Sequence, residues 1–263
     1  MEFGFYRNAP LLNALSSNRN VPGLLRQAVK AAFRNRTVDI ELEGIKFRCY
    51  PSQNVHDMSI VCGTLFEEER VELSFMAKYL HDGGVLVDVG ANIGALGIPL
   101  AIKAKAPLTV VAIEPNPKNV GRLRYNAQIN GLTNFIVVPY AVGPSGKAKL
   151  FLHSHANSGK ASLEMVSKSY TSASLDVECR PLLQILEEAD VPSVTVLKID
   201  IEGFEDKALV PFFKTAPRSL WPKAVNIERA HHGLWAEDCI ALMAGSGYVI
   251  EIENKMNTML RLS

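Results

Sequence analysis

Five carboxylates in this chain stand at or beside the ends of short aliphatic runs. Asp88 lies in Val85-Leu-Val-Asp-Val-Gly90 and Glu114 follows Ile113. Asp200 and Glu202 follow Val194-Thr-Val-Leu-Lys-Ile199, and Glu228 follows Ala224-Val-Asn-Ile227. Carboxylates so placed can take up a proton, accept two hydrogen bonds from a diol, or hold a cation. Gly90 and Gly94, four residues apart, end the first run, and Ala95-Leu-Gly-Ile-Pro-Leu-Ala-Ile-Lys-Ala104 continues it, helix-like apart from the proline. Strand, turn and helix in that order form a turn of the kind that holds ligands. One residue sets it apart from a dinucleotide turn. Asn92 stands where a second glycine would let bare backbone approach a pyrophosphate.

The elements that must position these groups alternate along the chain. Pro22 to Arg36 reads as a helix with Leu24, Leu25, Ala28, Val29, Ala32 and Phe33 as an apolar stripe. Val38 to Leu42 and Ile45 to Tyr50 alternate at period two around Glu43-Gly44, a β-hairpin. A helix from Glu67 to Leu80, stopped by His81-Asp-Gly-Gly84, delivers the chain to the strand at Val85. Strands follow at Leu108 to Ile113 and Phe135 to Val138, separated by a helix from Lys118 to Asn130. Lys147 to Val177 reads as two short strand-like runs around a mobile polar loop, Asn157-Ser-Gly-Lys-Ala-Ser162. A helix from Pro181 to Ala189, strands at Val194 to Ile199 and Ala224 to Ile227, a helix from Trp235 to Gly245 and a terminal strand pair, Tyr248 to Ile252 and Thr258 to Leu262, complete the series. This is an α/β, mainly parallel sheet with helices on both faces and one antiparallel edge. Ligands of such sheets sit beyond the carboxyl ends of the strands, so the acids converge on one site. Residues 1–64 read as a helix and hairpin extension packed on the main domain, and residues 65–263 as that ligand-binding domain.

Composition narrows the function classes. With 263 residues, 48% of them hydrophobic, the chain is long enough for a large core. Cys49, Cys62, Cys179 and Cys239 lie far apart, which suits free thiols in a reducing compartment. The start lacks a signal-like apolar run and no stretch is long enough to span a bilayer, so the expectation is a cytoplasmic protein. A net charge of +1 gives no global field for nucleic acid, and none is expected as a partner. Basic charge gathers near the N-terminus, at Arg7, Arg19, Arg26, Lys30, Arg34 and Arg36. The first helix either packs on the domain, the favoured reading, or docks peripherally on an anionic membrane.

Glu114 comes twenty residues after Gly94, the placing of a carboxylate that accepts two hydrogen bonds from a ribose. A pyrophosphate among Asp88, Glu114 and Asn92 would be poorly matched in charge and space. S-adenosylmethionine, with a ribose, an adenine and a cationic amino-acid tail, fits better. Asp88 and the turn backbone could hold its methionine end, Asn92 could offer an amide, and Gly90 and Gly94 allow the tight turn and close helix packing.

Val87-Asp-Val-Gly-Ala-Asn-Ile-Gly94, Ile113-Glu-Pro-Asn-Pro117, Ala141-Val-Gly143 and Leu197-Lys-Ile-Asp-Ile-Glu-Gly-Phe-Glu205 occur in that order, and together they resemble the FkbM family of S-adenosylmethionine-dependent methyltransferases. The resemblance covers roughly residues 65 to 230 and departs from the family at Cys179-Arg-Pro-Leu182. It implies a class I, Rossmann-like methyltransferase fold with a seven-stranded sheet, Ala141 beside the cofactor, and O-methylation of a hydroxyl on a sugar, polyketide or related small-molecule or glycan acceptor.

Methyl transfer to an alcohol needs in-line placement and removal of one proton. Asp200 is the expected base or acceptor-orienting group, flanking the cofactor as well, with Glu202 and Glu228 in support. Asp200 with Asn226 or Glu228 could instead hold Mg²⁺, but no strong ligand motif obliges a metal, and none is assigned. His231-His232 reads as surface in preference to catalytic. Two other classes stay open: a non-catalytic cofactor-binding protein on the same fold, and a nicotinamide-dependent oxidoreductase, which Asn92 disfavours. Acceptor identity and oligomeric state are not written in these residues.

Overall fold

The computed structural model describes residues 6–7, 22–34, 36–154, 157–163 and 174–263. Its first layer comprises β1 (Tyr6–Arg7), α1 (Pro22–Ala32), β2 (Val38–Leu42), β3 (Ile45–Cys49), α2 (Val55–Val61) and α3 (Leu65–Glu68); α4 (Arg70–Leu80) follows and packs Phe75, Met76 and Leu80 with Leu86, Val110 and Val196. β2 and β3 pair antiparallel around Glu43-Gly44, and alternate residues of each are buried, as the period-two pattern requires. The expected helix from Glu67 is two helices that meet at Glu69, and α2 has no counterpart among the sequence expectations.

Next come β4 (Gly84–Val89), α5 (Gly97–Lys103), β5 (Leu108–Ile113), α6 (Pro117–Ile129) and β6 (Phe135–Val138). They are followed by β7 (Ala141–Val142), β8 (Gly146–Ser154), β9 (Asn157–Ser162), β10 (Ser174–Arg180), α7 (Leu182–Glu188) and β11 (Val196–Ile199). The chain ends with α8 (Glu205–Thr215), β12 (Ala224–Glu228), α9 (Cys239–Gly245), β13 (Tyr248–Glu253) and β14 (Asn257–Leu262). The main sheet has seven strands in the order β13-β14-β12-β11-β4-β5-β6. β6, β5, β4, β11 and β12 are parallel neighbours, and β14 alone runs against them, inserted between β12 and β13. The antiparallel strand therefore lies one place inside the edge where sequence alone put it.

Three other expectations change. Asn157–Ser162, read as a loop, is strand β9, paired antiparallel with β8 in a four-stranded sheet ordered β7-β10-β8-β9. Polar composition hid it because pairing is set by backbone hydrogen bonds. The helix expected from Trp235 starts at Cys239, where the Asp238 carboxylate accepts from the amides of Ile240 and Ala241. α8 escaped reading because Pro211 interrupts its apolar pattern from inside the helix.

α1 packs through Leu25 and Val29, 6% and 4% exposed, while Leu24 of the same stripe is 70% exposed. Arg26 pairs with Glu68, and Arg7 and Arg19 lie outside the residues whose side chains are described. Among the described residues no helix is long and apolar enough to cross a membrane. All four cysteines are buried and free.

The first layer and the β4 turn share one apolar cluster, in which Leu25, Ile45, Phe47 and Ile60 pack with Ile93, Ala95 and Ile98. Polar clamps from α6 complete the joint. Asn126, fully buried, accepts from the Arg48 amide at 2.9 Å and donates to the Ile93 carbonyl at 3.2 Å. Asn130 accepts from the Lys46 amide and donates to the Lys46 carbonyl. Asn126→Ala removes its hydrogen bonds to the part-buried Arg48 amide and the buried Ile93 carbonyl, so urea denaturation should show a loss of about 3 kcal/mol. A loss under about 1 kcal/mol would mean that apolar contacts alone dock the hairpin.

Candidate active site

β4, β5, β11 and β12 end around one cavity of about 320 Å³, lined by Gly90, Asn92, Glu114, Asp200, Glu202 and Glu228 among others. It opens where the sheet order turns from β4 to β11, the crevice in which doubly wound sheets bind ligands. Ala141 also lines it, next to Tyr140 and Val142. Asp88 and Gly94 do not. Both lie behind the wall: Asp88 is 2% exposed, and a Cβ on Gly94 would stand 2.5 Å from Ile98 Cδ1.

The turn is built by close approach. Gly90 has φ +77°, and a Cβ there would stand 2.0 Å from the Asp200 carbonyl oxygen, so only glycine lets β4 and β11 end this close together. Asn92 also lies in the left-handed region, at φ 53°, which asparagine tolerates better than most residues. Its amide group is taken by the first layer: Oδ1 accepts from Asn54 Nδ2 at 2.7 Å, and Nδ2 lies 3.0 Å from His56 Nδ1. If Asn92 Nδ2 donates there, the His56 proton sits on Nε2, 3.6 Å from Glu69 Oε1. Asn92 is thus a bracket between α2 and the turn.

Glu114 closes the turn from the other side. Its Oε2 accepts from the Asn92 amide and its Oε1 from the Asn116 amide, each at 2.9 Å, with Asn119 Nδ2 at 3.4 Å. Burial pushes its pKa up to about 7, and the Asn116 and Asn92 amides pull against that rise. A carboxylate has about four lone-pair sites; the two amides at 2.9 Å take two, and a diol that displaces the long Asn119 contact can take the other two.

Lys198, 7% exposed, lies beneath the site. Its ammonium donates to the Gly90 carbonyl at 3.2 Å and stands 3.5 Å from Asp88 Oδ1 and 3.9 Å from Asp200 Oδ2. Burial opposes its charge, yet Asp88 and then Asp200 and Glu69 outweigh burial and raise its pKa. Asp88 is therefore a buried counter-ion in this structure.

At the far end, Glu205 accepts from the amides of Ile201 and Gly203 and from Trp235 Nε1. These bonds hold Glu202 at φ 56°, uncommon for an acid outside a tight turn. Glu202 Oε2 lies 3.1 Å from His231 Nε2, while His232 turns away to the Arg229 carbonyl. Glu228 is pushed up to about 9 by burial and by the charges of Asp200, Glu202 and Glu205. Sequence reading missed the contributions of His56 and Glu69 from the first layer, Leu150 and Leu163 from the β8–β9 flap, and Met256. Only Asn54, an N-cap with an acid three residues on at Asp57, signalled that a helix starts beside His56.

The family described as the methyltransferase FkbM domain matches residues 88–231, more than half of the chain. The chain belongs to this family. It is an S-adenosylmethionine-dependent methyltransferase with the class I fold. It is similar to the hexuronic acid methyltransferase AglP of Haloferax volcanii, 27% identical over 196 residues that make up 72% of this chain and 73% of that protein. The METTL16 MTase domain matches its fold at 12% identity and a TM-score of 0.50, over 94% of this chain and 81% of that one. M. capricolum TrmK, solved with S-adenosyl-homocysteine, overlaps at 14% identity and a TM-score of 0.42, covering 72% of this chain and 66% of that one.

The raised Glu114 pKa sets a pH dependence for this FkbM methyltransferase. The folded state holds the proton more tightly than the unfolded chain, whose glutamate titrates at 4.5. Glu114's contribution is therefore complete below that value and lost as pH rises through about 7. Urea midpoints of the ligand-free protein measured from pH 5 to pH 8 should fall less in Glu114→Gln than in the wild type. Parallel slopes would remove Glu114 as a source of the loss.

Proposed function

We propose that the protein transfers a methyl group from S-adenosylmethionine, held along the Gly90 to Glu114 wall, to a hydroxyl of a sugar or related small-molecule acceptor at Asp200, Glu202 and Glu228. The observation that carries this reading is the charge of the cavity. Among the described residues that line it, His56, Glu69, Glu114, Tyr140, Asp200, Glu202 and Glu228 are ionisable, and none is a lysine or arginine. A cationic ligand is favoured there by simple Coulomb attraction, and a pyrophosphate is opposed. The bound cofactor supplies a methyl carbon already activated by its sulfonium.

The chain's own groups divide the remaining work. Glu114 accepts the ribose hydroxyls while keeping the turn closed. Ile113, Tyr140, Val142, Leu150 and Leu163 give apolar walls to an adenine at the β5 and β8 side. Gly90 lets the backbone come close, and Glu69 with His56 faces the amino-acid end. Asp200, whose side chain is 38% exposed, takes the hydroxyl proton or orients that hydroxyl. A sugar acceptor is supported by the hexuronic acid methyltransferase named among the similar proteins.

Two variants test binding and chemistry separately. Glu114→Ala should weaken cofactor affinity about tenfold or more in calorimetry, equal to about 1.4 kcal/mol. Asp200→Asn should keep that affinity and lose a factor of about 10² to 10⁴ in transfer to the true acceptor. Wild-type transfer by Asp200→Asn would move the proton-accepting role elsewhere, and an unchanged affinity in Glu114→Ala would remove the ribose assignment.

A further inference from the structure

We propose that Glu202, Glu228 and His231 form a binding site for a divalent transition-metal cation such as Mn²⁺ at the acceptor end of the cavity. One ligand atom from each of the three side chains lies within 4.8 Å of the other two, close enough for one ion to reach all three. Glu228 supplies an independent pointer. It is 9% exposed, lines the cavity, and its Oε2 is buried with no hydrogen-bond partner among the described residues. A buried carboxylate oxygen left without a donor is costly, and a cation satisfies it directly.

The donor set selects the class of ion. Two carboxylates with one imidazole suit manganese, iron or zinc, whereas magnesium and calcium prefer oxygen ligands throughout. The positions are also built. Glu205, through the Ile201 and Gly203 amides, holds Glu202 in its left-handed conformation. Gly203 leaves room for His231, whose Cβ would stand 3.2 Å from a Cβ at that position. Three protein ligands leave coordination positions open, and Glu202 and Glu228 both face the cavity. The ion's role toward the acceptor rests on the methyltransferase reading above: an acceptor oxygen, or the carboxylate of a uronic acid that this acidic wall would otherwise repel, can complete its coordination.

Equilibrium dialysis of the whole protein against Mn²⁺, beside calorimetry with S-adenosylmethionine, tests the site and the reading independently. Saturable binding of one Mn²⁺ per chain is expected, with His231→Gln and Glu228→Gln each weakening it at least about tenfold and His231→Gln leaving cofactor affinity within about twofold. His231→Gln alters a side chain that is 31% exposed, so it tests the site should Glu228→Gln fail to fold. Mg²⁺ at equal concentration should not displace Mn²⁺. No saturable Mn²⁺ binding by the wild type, wild-type binding by a folded His231→Gln, or equal competition by Mg²⁺ would overturn the proposal. Loss of cofactor binding by the wild type, with Mn²⁺ binding intact, would instead overturn the methyltransferase reading and leave the metal site standing.

Discussion

A buried ammonium group lets this sheet end in acids. Lys198 lies between β4 and β12 at the carboxyl ends of the strands, where Asp88, Asp200, Glu202, Glu205 and Glu228 crowd together. Like charges removed from water repel strongly, and hydrogen bonds to neutral groups offset only part of that repulsion. One cation shared among the Gly90 carbonyl, Asp88 and Asp200 binds the turn after β4 to the end of β11. The geometry follows from that joint: with the strand ends drawn together, residue 90 must be glycine, and the cavity opens just above it.

Two further carboxylates act as backbone staples. Glu114 joins the Asn92 and Asn116 amides, linking the β4 turn to the start of α6. Glu205 joins Ile201 and Gly203 and reaches Trp235, fixing the loop that carries Glu202. Each staple gives two backbone amides of its loop a hydrogen-bond partner, so each loop keeps its shape before any ligand arrives. Preformed loops reduce the ordering cost of binding. The first layer contributes in the same way, because Asn54 and His56 fix the side chain of Asn92.

The parallel strands and their terminal acids were legible because β4, β5, β11 and β12 are buried on both faces and read as continuous aliphatic runs. Once their order is known, the convergence of Gly90, Glu114, Asp200 and Glu228 follows from topology. What depends on side-chain direction was not legible. Asp88 points toward a lysine from a neighbouring strand 110 positions later, a contact no local spacing encodes. β9 was missed because Asn157–Ser162 is polar, and α8 because Pro211 sits inside it. His56 and Glu69 reach the cavity only through the docking of a separate layer, which rests on the apolar cluster shared with Ile93 and Ile98. Asn92, the residue that broke the dinucleotide pattern, proves to be a structural bracket, and its conformation is one that asparagine shares with the glycine it replaces.

The acid-lined cavity at the β4 and β11 ends is proposed to hold S-adenosylmethionine with its ribose on Glu114. A crystal structure of the protein with S-adenosylhomocysteine tests it most directly. Both ribose hydroxyls are expected within about 2.6 to 3.0 Å of the Glu114 carboxylate, the adenine against Leu150 and Leu163, and the sulfur turned toward Asp200. A ligand bound elsewhere, or one in this cavity with its ribose away from Glu114, would contradict it.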